Sequence, residues 1–372
     1  MKVKWLVILI LVVIVAGCTS NPTGTPAAAS PTPGIPDAPS AEGADILLFY
    51  MVDTQNGWAL TTTQVLRTVD GGGNWYDVTP EGLASVDYVP FYALDEQTFW
   101  FLIPDLNQEK ASVLYRTSDG GQTWESFETP LGTALLQFLD AETGFAMSDL
   151  GVAAGSQAVA ILKTTDGGAT WEVIFAHQGG IEQDLPFNGQ KYGMTFSDPS
   201  HAWIGGNIPM QGYIYFYGSQ DGGRTWAYKD IPSLPDAYRE FFTGVNAPIF
   251  FSETEGILPV DLYGSSYSRI FYRTTDGGLT WTPGERVISL GLYSTVSFDT
   301  IFLWTGSPKF YVSHDSGQTW QTIDTNVDIS TMLVGMQFTD ENTGWALASP
   351  DGNETSLYKT TDGGATWSVV FP

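Results

Sequence analysis

The string KTTDGGATW stands at residues 163–171 and again, unchanged, at 359–367. It holds an acid, hydroxyls and an indole in fixed order. A carboxylate with a hydroxyl four residues on has the makings of general acid or base chemistry, so the first question is whether the string is a working site used twice. It is not confined to two places. Related strings occur as RTVDGGGNW (67–75), RTSDGGQTW (116–124), GSQDGGRTW (218–226), RTTDGGLTW (273–281) and VSHDSGQTW (312–320), seven copies in all. Their terminal tryptophans are 49, 47, 55, 55, 39 and 47 residues apart. A catalytic constellation is needed once, whereas a structural corner is needed once per repeat, and seven copies at a near-constant period read as corners.

A looser motif precedes most copies: DTQNGWAL (53–60), DEQTFWFL (95–102), DAETGFAM (140–147), DPSHAWIG (198–205), ETEGILPV (253–260) and DENTGWAL (340–347). The sixth unit, around SFDTIFLWTG (297–306), shows no clean version. Each unit reads as apolar strand, acidic turn, strand, variable loop, strand, DGGxTW turn and short last strand. Four short strands in about 47 residues match a β-propeller blade, and punctuation by Gly, Pro, Asp or Asn every 8–12 residues excludes helical repeats of similar length. The expectation is an all-β fold: a single seven-bladed propeller over 45–372, with four antiparallel strands per blade. ILLFYMV (46–52) is expected as the innermost strand of blade one and WSVVFP (367–372) as the outer strand of blade seven. Closure then rests on packing of the first blade against the last; completion of the last sheet by an N-terminal strand stays open.

The DGGxTW corner explains its own composition. Asp accepts backbone N–H bonds one to three residues on, and the glycines supply positive φ. Trp buries a large apolar surface between sheets, worth about 2–3 kcal/mol. The paired corner residues are Asp70 and Trp75, Asp119 and Trp124, Asp166 and Trp171, Asp221 and Trp226, Asp276 and Trp281, Asp315 and Trp320, and Asp362 and Trp367. The string resembles the Asp box of the bacterial neuraminidase repeat. Asn74 stands where that box has Thr, and Ser316 replaces its first glycine. Joined to the D-x-x-x-G-W turn, it resembles the propeller family of the photosystem II assembly and stability factor and its non-photosynthetic relatives. That resemblance implies an assembly or binding scaffold without chemistry of its own. Photosynthetic members engage a membrane-protein precursor through a basic surface; here only Arg239, Arg269 and Arg286 lie outside the boxes, so that role does not carry over.

Composition narrows the partners. Forty-one acidic against 15 basic residues give a formal charge of −26, which repels phosphate backbones and argues against nucleic acid. Lys2 and Lys4, the apolar run from Trp5 to Ala16, and Gly17-Cys18 have the layout of a secretory signal, and Val15-Ala16-Gly17-Cys18 resembles the bacterial lipobox. We expect a signal over 1–17, lipidation at Cys18, a Pro/Ser/Thr/Ala-rich tether to residue 44, and an extracytoplasmic, membrane-anchored protein. Cys18 is the only cysteine, so disulfides and cysteine zinc sites are excluded. No cofactor or metal motif occurs: there is no Walker loop, dinucleotide fingerprint, G-x-S-x-G or His-x-x-x-His.

With both repeated turns on one face, function is expected on the other, where the connections vary. The longest stretches are 177–192, 206–216, 230–244 and 260–268, all in units three to five. From them the expected protein- or glycan-binding residues are Glu182, Asp184, Tyr192, Tyr213, Tyr238, Arg239, Glu240, Tyr263 and Tyr267. The alternative is a glycoside hydrolase, sialidase-like or glucan-active. It would require three arginines around a substrate carboxylate, or a carboxylate pair on these loops.

Overall fold

In the computed structural model the described residues are 38–372, apart from 87–88, 106–110, 178–182, 306–308, 330–331, 350–351 and 353. Seven antiparallel sheets follow one another along the chain, each built from consecutive strands. Blade one comprises Leu48–Met51, Gly57–Leu60, Val65–Thr68 and Tyr76–Asp77, and blade seven Leu333–Phe338, Gly344–Ala348, Ser356–Thr360 and Ser368–Phe371. Blade five departs from four strands. Pro248 interrupts its first strand, giving Phe242–Val245 and Ile249–Phe250, and Ile288–Ser289 pairs with the third strand, Tyr267–Thr274, along the same edge as the outer strand Thr282–Pro283. Asp236–Tyr238 forms the one 3₁₀ turn among the described residues, none of which belongs to a helix long and apolar enough to cross a membrane.

The DGGxTW corner folds as its residues dictate. In blade three, Asp166 Oδ1 accepts from Thr164 Oγ1 (2.8 Å) and Thr170 N (2.9 Å), and Oδ2 from Thr170 Oγ1 (2.6 Å). The other six blades repeat this arrangement; in blade one Asn74 Nδ2 donates to Asp70 Oδ2 at 2.6 Å in place of the threonine hydroxyl. Gly168 lies at φ +95°, and a Cβ there would fall 2.3 Å from Leu114 of the neighbouring blade. Ser316 takes the same left-handed conformation at φ 61°, so the sixth corner keeps its shape without the first glycine.

Both turns of each blade are tied together. The residue after the corner aspartate donates its N–H to a carbonyl of the first turn in all seven blades, at 2.7–2.9 Å; Gly71 to Gln55 and Ser316 to Asp299 are two of these. The two motifs therefore share one face of the ring. The structure also corrects their boundaries. Blade five builds its first turn on Ser252, whose Oγ accepts from Thr254 and Glu255, so that turn starts one residue before Glu253. Blade six does have such a turn, with Ser297 Oγ accepting from Thr300 N at 3.0 Å. A hydroxyl does the carboxylate's work in both.

Aromatic pairs join the blades: Trp58 with Phe99 (centroids 4.6 Å), Trp100 with Phe138 (3.8 Å), Phe145 with Phe196 (3.5 Å), Trp203 with Phe250 (4.5 Å) and Phe302 with Phe338 (3.9 Å). Such pairs add about 0.5–1.5 kcal/mol each beyond the area they bury. Of the corner tryptophans, Trp75, Trp226, Trp281 and Trp367 are buried, while Trp124, Trp171 and Trp320 are half-buried.

Among the described residues the ring closes by packing, without strand exchange. Gln337 clamps the backbone of Met51, accepting from its N–H (2.7 Å) and donating to its carbonyl (2.8 Å). Trp345 Nε1 donates to Gly71 O at 2.9 Å, as Trp100 Nε1 does to Gly167 O between blades two and three, so the closing joint is built like an internal one. Residues 38–44, expected to end the tether, instead lie on the propeller. Ser40 bridges Tyr76, Asp77 N donates to Pro39 O, and Ala41 is buried between blades one and seven. Backbone pairing needs no particular side chain, which is why a linker-like composition hides it. Cys18 and the apolar run lie outside the described residues.

Candidate functional site

On the face opposite the corners, blades three to five are interlocked through their connections. The hairpin of blade three, Gly144–Ala153 with Ser156–Thr164, outreaches the others, and its tip pairs with the following connection, Gly189 N donating to Gly155 O and Gln157 N to Gly189 O at 3.1 Å each. Farther round, Gly212 N donates to Phe241 O (2.8 Å), and Thr243 Oγ1 donates to Tyr213 O. Phe241 in turn covers Gly264, where a Cβ would fall 2.6 Å from its ring. These contacts make one continuous ledge.

Two buried polar centres hold the ledge. Lys191 sends its Nζ into a ring of backbone carbonyls, Gln157, Pro186, Phe187, Asn188 and Gly189, at 2.8–3.3 Å. Burial without a carboxylate partner pulls its pKa down to about 8. His177 is fixed beside it, with Nε2 3.0 Å from Leu185 O, and burial first and Lys191 second lower its pKa. The second centre is an ion pair between neighbouring strands of blade five. Arg269 Nε donates to Asp261 Oδ1 at 2.6 Å, its Nη1 donates to Gly291 O, and its guanidinium lies 4.3 Å above the Tyr293 ring. Burial works most strongly against the charge on Arg269, but Asp261, by charge and hydrogen bond, together with Tyr293 and Tyr263 raises the pKa overall. Tyr263 OH donates to Asp261 Oδ2; burial, then the Asp261 charge, push the phenol's pKa up. Burial also pushes Tyr293 up to about 12.

The axis of the ring is a cavity of about 870 Å³, walled mainly by the blades' first strands. Its walls are mostly apolar, with Leu48, Phe49, Phe91, Leu135 and Phe251 among them, and Tyr192, Asp149 and Lys191 lie at its border with the ledge.

The expected binding residues divide. Tyr192, Tyr263 and Tyr267 come together: the first two rings flank Gly244, where a Cβ would sit 3.0 Å from each, and Tyr267 meets Tyr263 edge-on at 6.0 Å. Asp184 and Glu240 are exposed on the ledge, and Arg239 is paired with Asp236 at 2.7 Å. Tyr213 and Tyr238 are half-buried in aromatic contacts of their own. Tyr213 stacks on Tyr228 and meets Tyr217, while Tyr238 packs edge-on against Phe241 beneath its own loop. Glu182 lies outside the described residues. Residues 260–268, expected as a long loop, are the tip of a hairpin of Gly256–Tyr263 and Tyr267–Thr274. Of the three arginines outside the corners, Arg239 pairs with Asp236 at the surface and Arg269 with Asp261 in the interior, so each of these two is engaged by its own carboxylate.

Sequence reading missed Lys191 and Asp261. A lone acid inside the apolar run GILPVDLY, eight residues before Arg269 and cross-strand from it, was the available signal. Lys191 carried none, because its acceptors are carbonyls.

A sequence profile described as the DUF6242 beta propeller domain matches residues 47–298, about two thirds of the chain. The chain belongs to that family. A second profile, Sortilin, neurotensin receptor 3 (Sortilin-Vps10), matches residues 269–371. No curated protein matches. Among solved structures the DUF6242 propeller is similar to YCF48 bound to D1 peptide, at 17% identity over 86% of this chain and 94% of that one, with TM-score 0.55. It is also similar to the GH74 enzyme of Niastella koreensis (15% identity, 88% of this chain, 66% of that one, TM-score 0.54). A third is a polysaccharide lyase of family PL25, an ulvan lyase (11% identity, 90% and 98%, TM-score 0.54). At such identities the likeness is one of fold, and it spans proteins of different stated activities.

Proposed function

We propose that the protein is a lipid-anchored, extracytoplasmic scaffold that binds a protein or glycan through the ledge of blades three to five. The observation that carries this reading is the ledge itself. Connections locked by backbone pairing, Lys191 and the Asp261–Arg269 pair hold exposed aromatic side chains beside the mouth of an apolar cavity. A rigid, locally apolar surface on an otherwise charged protein is the usual form of a recognition site. The repeated corners act as Asp boxes, structural in every blade. A propeller of similar fold is described as bound to a peptide, which lends the reading support.

In this reading residues 1–17 are a signal peptide and Cys18 carries the lipid. Ala38 packs against the cluster holding Val78 and Val86, and Val86 N donates to Thr62 O in a connection of the ledge's face. The tether thus joins the propeller on the rim nearer that face, which favours presenting it toward the membrane.

Affinity capture from native membranes with the full chain tests the proposal. Shortening 177–192 and 230–244 should abolish partner capture, and Cys18→Ala should release the protein from membranes. Turnover of a sialoside or β-glucan panel, lost on changing Asp184 or Glu240, would replace the scaffold by a glycoside hydrolase.

A further inference from the structure

Which occupant the ledge suits can be read from its apolar groups and its charges. Leu150, Val152, Phe187, Met210, Phe242 and Tyr267 are each 42–68% exposed. They sit on successive connections from the blade three hairpin to the blade five hairpin, joined by the Gly155–Gly189, Gly212–Phe241 and Phe241–Gly264 contacts. Backbone hydrogen bonds tie these connections to one another, which lowers the conformational entropy that docking must remove.

The accompanying charge is negative. Asp184 and Glu240 are exposed and pair with no cation among the described residues. The ledge's own cations are engaged elsewhere: Arg239 on Asp236, Arg269 on Asp261, and Lys191 on five carbonyls. Asp149 adds a further carboxylate at the cavity. Across the chain the net charge of −26 sets the same long-range sign.

We propose that the ledge receives an extended polypeptide segment in which apolar side chains alternate with Lys or Arg. This rests on the scaffold reading above and names its partner's chemistry. An extended segment presents side chains to opposite sides with period two, so one row can meet Phe187, Met210 and Tyr267 while the other turns toward the acids. The hydrocarbon stems of Lys and Arg also cover apolar surface while their heads reach carboxylates. Acidic peptides, sulfated or uronate glycans and phosphate groups meet repulsion at the same place.

The test is fluorescence anisotropy on the lipidated full chain with three labelled dodecapeptides, alternating Lys/Leu, Glu/Leu and Lys/Ser. The Lys/Leu probe is expected to bind at least tenfold more tightly than either other probe. Phe187→Ser with Tyr267→Ser, at an unchanged unfolding midpoint, should weaken it at least tenfold. Asp184→Lys with Glu240→Lys should do the same and flatten the salt dependence. Leu279→Ser with Val369→Ser, exposed apolar positions away from the ledge, should leave it unchanged. Equal binding of Lys/Leu and Lys/Ser, indifferent to the ledge substitutions, would overturn the proposal as mere attraction to an acidic surface. Tight Glu/Leu binding abolished by the ledge substitutions would overturn the cationic partner and leave the scaffold standing. Hydrolysis of the glycan panel with no peptide bound would overturn both.

Discussion

The two faces of the ring are built on opposite principles. On one, seven corners repeat the same bonds to within about a tenth of an ångström, and each is tied to its partner turn by the same backbone contact. On the other, no two of the connections in blades three to five are alike, and each is held by a different device: a carbonyl ring around Lys191, an ion pair, a glycine covered by Phe241. Repetition secures the fold by local bonds, which frees the opposite face to vary without loss of the ring. Under the proposed scaffold role, stability and recognition fall to different residues, a division that substitutions can probe.

The largest effects should come from the joints. Trp345→Ala removes a fully buried indole and its bond to Gly71 at the closing interface, and about 3–5 kcal/mol should be lost in denaturant unfolding. Arg269→Met leaves Asp261 buried without its cation and should cost about 3–5 kcal/mol, the one point where the proposed recognition face also bears on stability. A loss under 1 kcal/mol for Arg269→Met would mean that Asp261 is reached by water in the variant.

Single corners should matter less. Asp166→Ala frees three donors at one exposed turn and should cost about 1–2 kcal/mol, with Lys/Leu peptide affinity unchanged. The corner aspartates also predict an acid limb. In Asp70, Asp119, Asp166, Asp221, Asp276 and Asp315, burial opposes ionisation but is outweighed by hydrogen bonds from the corner's own Asn, Thr, Ser and backbone donors. For Asp362 the bond from Thr366 leads. All seven pKa values are lowered on folding. The stability they contribute is therefore complete above the ordinary carboxylate value near about 4 and is lost as pH falls through the lowered values. Thermal midpoints should drop between about pH 4 and 2, less steeply in an Asp166→Asn variant. The smallest change in stability belongs to the ledge: Phe187→Ser should shift it by less than about 0.5 kcal/mol while weakening Lys/Leu peptide binding.

That division also explains what could be read in advance. Asp, two glycines, Thr and Trp within nine residues specify a corner by local chemistry, so blade number, the shared face of both turns and sequence-continuous blades were legible. Where Ser252 and Ser297 replace the acid, the motif was misplaced or missed although the turn is the same. The ledge was legible only as a region. Tyr213 stacks on Tyr228 across its blade and Tyr238 packs on Phe241 within its own loop, contacts that residue type alone does not announce. Lys191 and the strap at residues 38–44 act through backbone groups, which leave no side-chain pattern to find.

The most direct test of the separation between faces is site-specific photo-crosslinking in native membranes. A photoreactive residue is placed singly at Phe187 or Tyr267 on the ledge, or at Leu279 or Val369 away from it. Discrete partner adducts should form from the first two positions and none from the second two. Adducts of equal yield from all four, or from Leu279 alone, would contradict the assignment of recognition to the ledge of blades three to five.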